Sequence, residues 1–200
     1  MIVYVESNFV LELAFLQEEH ESCNTILEMV QSQQIDLVLP AFSVVEPYET
    51  WVRRDKQRRE LYAKLKSEIR ELSRSKPYAE ESEKLQELSR LFLRSGEEEK
   101  LRLDQTLKRI VAQAHIIPID AQIIATAIEF QSQYNLSPQD SIVYSSVLKH
   151  LNRQANKSSC FITRNAKDFS NPDIETELAS HQCKLLTTFR DGLGYIRSVS

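Results

Sequence analysis

The sequence predicts an α/β fold, with a mainly parallel sheet of five short strands flanked by helices and a helical insertion at about 53–110. Three observations carry this prediction. Apolar runs of four to six residues alternate with stretches whose apolar side chains recur at helical spacing. From 53 to 109 the strand signal stops and only helical stripes continue. Apolar residues make up 42% of the 200 residues and charged residues 27%, the balance of a chain that buries a core.

The first run, Ile2 to Val5, ends abruptly in Glu6-Ser7-Asn8, as a buried strand does when it enters a helix cap. Helical spacing follows over 9–16 and 21–31, where Ile26, Leu27 and Val30 share one side. A second strand covers 35–39 and closes at Pro40, and a helix runs from about Ser43 to Trp51. Within the insertion, Leu61, Leu65, Ile69 and Leu72 form one stripe, which Pro77 interrupts. Leu85, Leu88 and Phe92 form another. Ser95-Gly96-Glu97-Glu98 reads as a capping box that opens a third helix through Leu103, Leu107 and Ile110. A third strand lies at 116–119, and Asp120 caps the helix carrying Ile123, Ile124, Ala127 and Ile128. Ser137-Pro138-Gln139-Asp140 starts the next helix, and strands four and five are expected at 160–163 and 184–188. With no internal repeat or low-complexity linker, one domain spanning 1–200 is the simplest organisation.

Composition removes several function classes. Only Gly96, Gly192 and Gly194 are present, and none has the spacing of a phosphate-cradling loop, which excludes dinucleotide-binding and P-loop architectures. Cys23, Cys160 and Cys183 are odd in number and far apart, as expected for buried thiols in a reducing compartment. His20 and Cys23 sit three apart, but no second metal-ligand pair lies nearby, and His20, His115, His150 and His181 are too scattered to supply a nucleophile. No apolar run approaches the roughly 20 residues of a membrane span, and MIVYVESN lacks a basic leader, so a cytoplasmic protein is expected. The net charge of −4 is unevenly distributed: residues 53–109 hold 17 Lys/Arg and 12 Asp/Glu, against 8 and 17 elsewhere. Most of that segment reads as solvated, ion-paired helix, but Arg53, Arg54, Lys56, Arg58 and Arg59 are dense enough to form a candidate surface for a polyanion.

In an open α/β sheet, ligands bind beyond the carboxyl ends of the strands. Four acids fall there: Glu6 after strand one, Glu46 in the helix after strand two, Asp140 opening the helix before strand four, and Asp168 after that strand. Asp140 shares a helix face with Val143, Val147 and Leu151, so it sits at the end of a core-facing stripe. Ser43-x-x-Glu46 and Ser137-x-x-Asp140 also match capping boxes, which would commit both acids to backbone N–H groups. Converging carboxylates raise one another's pKa unless a cation neutralises them, and an all-oxygen set favours Mg²⁺ or Mn²⁺.

Residues 2–13 (IVYVESNFVLEL), 37–46 (LVLPAFSVVE), 136–148 (LSPQDSIVYSSVL) and 161–169 (FITRNAKDF) together resemble the PIN domain, the fold of many metal-dependent ribonucleases and of VapC-type toxins. The resemblance covers nearly the whole chain outside the insertion. It implies a three-layer fold, frequent homodimers and, in the toxins, an antitoxin partner. It also implies that Glu6, Glu46, Asp140 and Asp168 hold one or two Mg²⁺ or Mn²⁺ ions that activate water against RNA, with Ser7, Asn8, Thr163 and Asn165 positioning them. Three features depart from the pattern. Glu6 stands where the family usually has aspartate, Pro47 follows Glu46 with Glu49 one turn on, and the insertion is long. The function expected is therefore a metal-dependent ribonuclease, with Arg53, Arg54, Lys56, Arg58 and Arg59 gripping RNA. The alternative is a catalytically impaired PIN-like module that binds RNA or protein through its insertion.

Overall fold

A computed structural model describes residues 1–154 and 157–199. Five strands, β1 (Ile2–Val5), β2 (Asp36–Pro40), β3 (His115–Ile117), β4 (Ser159–Ile162) and β5 (Cys183–Leu186), form one sheet in the order β3-β2-β1-β4-β5. All four pairings are parallel. Parallel strands covered on both faces should be apolar throughout, and β1 is buried at every position.

The chain divides into two compact units, residues 1–47 with 105–200, and residues 48–104. In the first unit the strand alternation sorts side chains to two faces. Ile2, Tyr4, Val38, Ile117 and Phe161 join one core with Ile123 of α5 (Ala121–Gln133), Tyr144 and Val147 of α6 (Pro138–Leu151), and Ile174 of α8 (Pro172–Ser180). The other face is covered by α1 (Ser7–Phe15), α2 (His20–Gln31) and α9 (Phe189–Val199), where Phe9 meets Phe189 edge-on with ring centroids 5.5 Å apart. α9 lies so close to β4 that a Cβ on Gly192 would come within 2.4 Å of Ile162 Cδ1. A short helix, α7 (Ala166–Phe169), connects β4 to α8.

The second unit is an antiparallel helix pair. The expected helix over 43–51 is in fact the start of α3 (Ala41–Leu72), which continues through Pro47. Pro47 is therefore not in the first turn; it removes the N–H that would bond the carbonyl of Ser43, and the helix continues from there. The chain turns at Lys76–Tyr78, the break expected at Pro77, into α4 (Ala79–Gln113). Gly96 does not open a helix but sits inside α4. It is glycine because α3 approaches closely there: an added Cβ would lie 2.4 Å from Asp55 Oδ1, and Trp51 Nε1 donates to the Gly96 carbonyl at 2.9 Å. Tyr48 donates to Asp104 at 2.7 Å, and Arg58 grips Glu99 through two 2.7 Å bonds. Among the described residues, no helix is long and apolar enough to cross a membrane.

Candidate active site

The sheet order reverses direction between β1 and β4, so the rim beyond those two strands is the topological switch point. Register does the first piece of assembly. Val5 pairs with Ile162, which brings the next residues, Glu6 and Thr163, side by side. Thr163, fully buried, donates its hydroxyl to Glu6 Oε1 at 3.1 Å. Glu6 is also the N-cap of α1: its Oε2 accepts from the Asn8 backbone N–H at 3.0 Å, and its Oε1 from Asn8 Nδ2 at 2.7 Å. The extra methylene of glutamate lets the carboxylate fold back onto its own helix while still meeting β4.

Thr163 continues the chain of contacts. Its hydroxyl oxygen accepts from the Asn165 backbone N–H at 2.9 Å, which curls the segment so that Asn165 Nδ2 donates to Asp140 Oδ1 at 2.9 Å. The other Asp140 oxygen accepts from the Ser137 hydroxyl at 2.5 Å, while that hydroxyl caps the Asp140 backbone N–H at 3.1 Å. Ser137 is thus the cap of α6, and the Asp140 carboxylate bonds side chains instead of backbone. On the opposite flank, Ser7 donates its hydroxyl to Glu46 Oε2. Ser43 is not a cap, because α3 begins at Ala41; its hydroxyl is buried without a hydrogen-bond partner among the described residues.

Glu6, Glu46 and Asp140 are therefore each held by a polar neighbour on this rim. Asp168, half-buried in α7, has no side-chain hydrogen bond or ion pair among the described residues. Among those residues, no group of three or more His, Cys, Asp or Glu is gathered closely enough to hold a metal ion.

The electrostatics are one-sided. Glu6 is only 6% exposed, and burial, reinforced by the negative charge of Glu46, pushes its carboxyl up to about 7 despite three favourable hydrogen bonds. No basic side chain ion-pairs with Glu6, Asp140 or Asp168 among the described residues. Arg164, flanked by Thr163 and Asn165, turns away from them to pair with Glu12, Glu18 and Glu19. A rim of carboxylate and other oxygen donors suits a hard divalent cation in kind and in charge.

The basic cluster is partly spent inside its own unit. Arg58 is paired with Glu99 and Arg59 with Asp55, the latter at 2.6 Å, whereas Arg53 and Lys56 are exposed. Sequence reasoning missed the Arg164–Glu12 pair. Its signal was Glu12 itself, an acid inside the apolar run Phe9-Val10-Leu11-Glu12-Leu13, where a buried charge demands a partner.

No curated protein of similar sequence was found. The family model described as PIN domain matches residues 3–169, from β1 through the segment that carries Thr163, Asn165 and Asp168. Proteins of that family are typically nucleases that bind Mg²⁺ or Mn²⁺. With the match spanning β1 to β4 and all four candidate acids, this chain belongs to the PIN domain family.

Proposed function

We propose that the protein is a metal-dependent ribonuclease whose rim acids Glu6, Glu46, Asp140 and Asp168 hold Mg²⁺ or Mn²⁺. The observation that carries this reading is Glu6: a carboxyl at the switch point, buried beside Glu46, raised to about 7 and without a cationic partner among the described residues. Burial disfavours the charged form of this carboxyl, and a bound cation would offset that cost. When bound, a divalent ion there supplies Lewis acidity toward water and toward a phosphate oxygen. The chain's own residues do the positioning. Asn8 and Thr163 fix both Glu6 oxygens, Ser7 orients Glu46, and Asn165 with Ser137 orients Asp140. Exposed Arg53 and Lys56 offer cationic contacts to the RNA backbone.

The test is cleavage of single-stranded and structured RNA with and without Mn²⁺, for the wild type against Asp140→Asn. Metal-dependent cleavage that the variant loses supports the assignment; equal activity in both proteins rejects it.

A second reading is favoured by one observation. The Glu6 oxygens already accept three hydrogen bonds, as a capping residue's would. A PIN-like binding module without catalysis would use them so, and would show no saturable site when titrated with Mn²⁺.

A further inference from the structure

Arg164 lies between the two residues that orient Glu6 and Asp140, yet it touches neither acid. Its guanidinium donates instead to Glu12 of α1 and to Glu18 at 3.2 Å, and it ion-pairs with Glu19 at 3.7 Å. Glu12 is 1% exposed, and its other oxygen accepts from the Glu19 backbone N–H at 2.7 Å. The Glu19 carboxylate in turn accepts from the backbone N–H groups of Phe189 and Arg190, 3.1 and 3.2 Å away, at the start of α9. One guanidinium therefore ties the segment after β4 to α1, to the α1–α2 connection and, through Glu19, to α9.

The geometry closes a ring. α1 carries Asn8 at its N-terminal end, bonded to Glu6, and Glu12 one turn further on. The segment after β4 carries Thr163, also bonded to Glu6, and Arg164, bonded to Glu12. α1 and this segment are thus cross-braced twice: once through Glu6 at the rim, and once through the Arg164–Glu12 pair behind it. Arg164 sits at a bend between them, where the Asn165 N–H returns to the Thr163 hydroxyl oxygen, so anchoring its guanidinium on Glu12 fixes the curl that turns Thr163 and Asn165 toward the rim. A guanidinium suits the task because its planar fork meets several carboxylate oxygens at fixed angles, which a lysine ammonium does not.

We propose that Arg164 is a positioning residue for the metal-binding acids, acting through Thr163 and Asn165 by way of its bond to Glu12. The proposal rests on the nuclease reading above. Removing Arg164 alone would strand the Glu12 carboxylate in the interior and risk unfolding. The informative protein is therefore the double variant Glu12→Gln/Arg164→Gln, which removes both charges together, with Arg164→Lys as the conservative control. Two readouts are taken: Mn²⁺ affinity by calorimetry, and amide hydrogen exchange at Asn165 in the metal-free protein, whose N–H is held by Thr163 Oγ1.

In the double variant, Mn²⁺ affinity should fall about 10-fold or more, the usual cost of losing an orienting partner behind a ligand. The Asn165 amide should exchange faster by a similar factor. Arg164→Lys should fall between the double variant and the wild type. Unchanged exchange and unchanged affinity in a folded double variant overturn the positioning role and leave the nuclease reading intact. A wild-type chain that shows no saturable Mn²⁺ binding overturns the nuclease reading, and the role of Arg164 with it.

Discussion

Thr163 donates its hydroxyl to Glu6 Oε1 at 3.1 Å across a sequence separation of 157 residues, and this one bond joins the ends of β4 and β1 where the sheet reverses order. It is buried, and its oxygen also receives the Asn165 N–H, so Thr163 links the acid of one segment to the acid of another. Replacing Thr163 by valine keeps the shape and deletes both bonds. Loss of about 1–3 kcal/mol of stability is expected from the unsatisfied Glu6 and Asn165 groups, measured by urea unfolding. Wild-type stability in this variant would mean that the Thr163 bonds contribute nothing net.

The proton on Glu6 competes with any cation. Its carboxyl is raised above the ordinary value of 4.5 to about 7, so at pH 6 the metal-free site is mostly protonated and at pH 8 mostly ionised. Mn²⁺ affinity should therefore rise about 10-fold between pH 6 and pH 8, since a one-unit excess of pKa over pH costs a factor of about ten. The linkage to folding has the opposite sign. The folded state binds the Glu6 proton more tightly than the unfolded chain, so stability from this group is present below about 4.5 and is lost as pH climbs to about 7. Glu6→Gln should flatten both profiles, which calorimetry and thermal melts at the two pH values will show.

His150 gives a second pH dependence on the other side of neutrality. Burial, and then the positive charges of His115, Arg153 and Lys157, hold its imidazole below the usual 6.5, while its Nδ1 shares a 2.8 Å hydrogen bond with the Tyr4 hydroxyl. The unfolded chain takes up this proton more readily than the folded one. The contribution is therefore complete above about 6.5 and is lost as pH falls below it. Because Glu6 works in the opposite direction over the same range, the test is the difference: between pH 7.5 and 5 the melting temperature of His150→Gln should fall less, or rise more, than that of the wild type. Parallel curves for the two proteins would contradict this.

Gly96→Ala opposes two effects of known size. Alanine favours a helix interior over glycine by about 1 kcal/mol. The new Cβ, however, would sit 2.4 Å from Asp55 Oδ1, on a buried side chain whose other oxygen is bound to Arg59. Overpacking of this kind costs about 1–3 kcal/mol. Net destabilisation by up to about 2 kcal/mol is expected in denaturant unfolding; a stabilised variant would show that Asp55 moves aside freely.

The periodicities that define a strand or an amphipathic helix are local, and they were readable from the chain alone. Ile2-Val3-Tyr4-Val5 reads as a buried strand, the stripe from Val143 to Leu151 as a core-facing helix, and Asp120 and Ser137 announce the helices they cap. The positions of Glu6, Glu46, Asp140 and Asp168 after strands or at helix starts were legible for the same reason. The helices over 166–169, 172–180 and 189–199 were not singled out, although Asn171-Pro172 is a start signal of the same kind, with Asn171 capping the Asp173 N–H at 3.0 Å.

Helix continuity through Pro47 and Gly96 was decided by tertiary structure, because a breaker acts within one turn whereas the fit of Gly96 against Asp55 depends on a helix 41 residues away. So was the division of labour among the charges. Nothing in composition distinguishes Arg58, bound to Glu99, from Arg53, exposed, or assigns Arg164 to Glu12 across 152 residues. Charge is a property of the residue, but pairing is a property of distance. Only the folded chain sets the distances that, among the described residues, leave Glu6 without a cation and give Glu12 one.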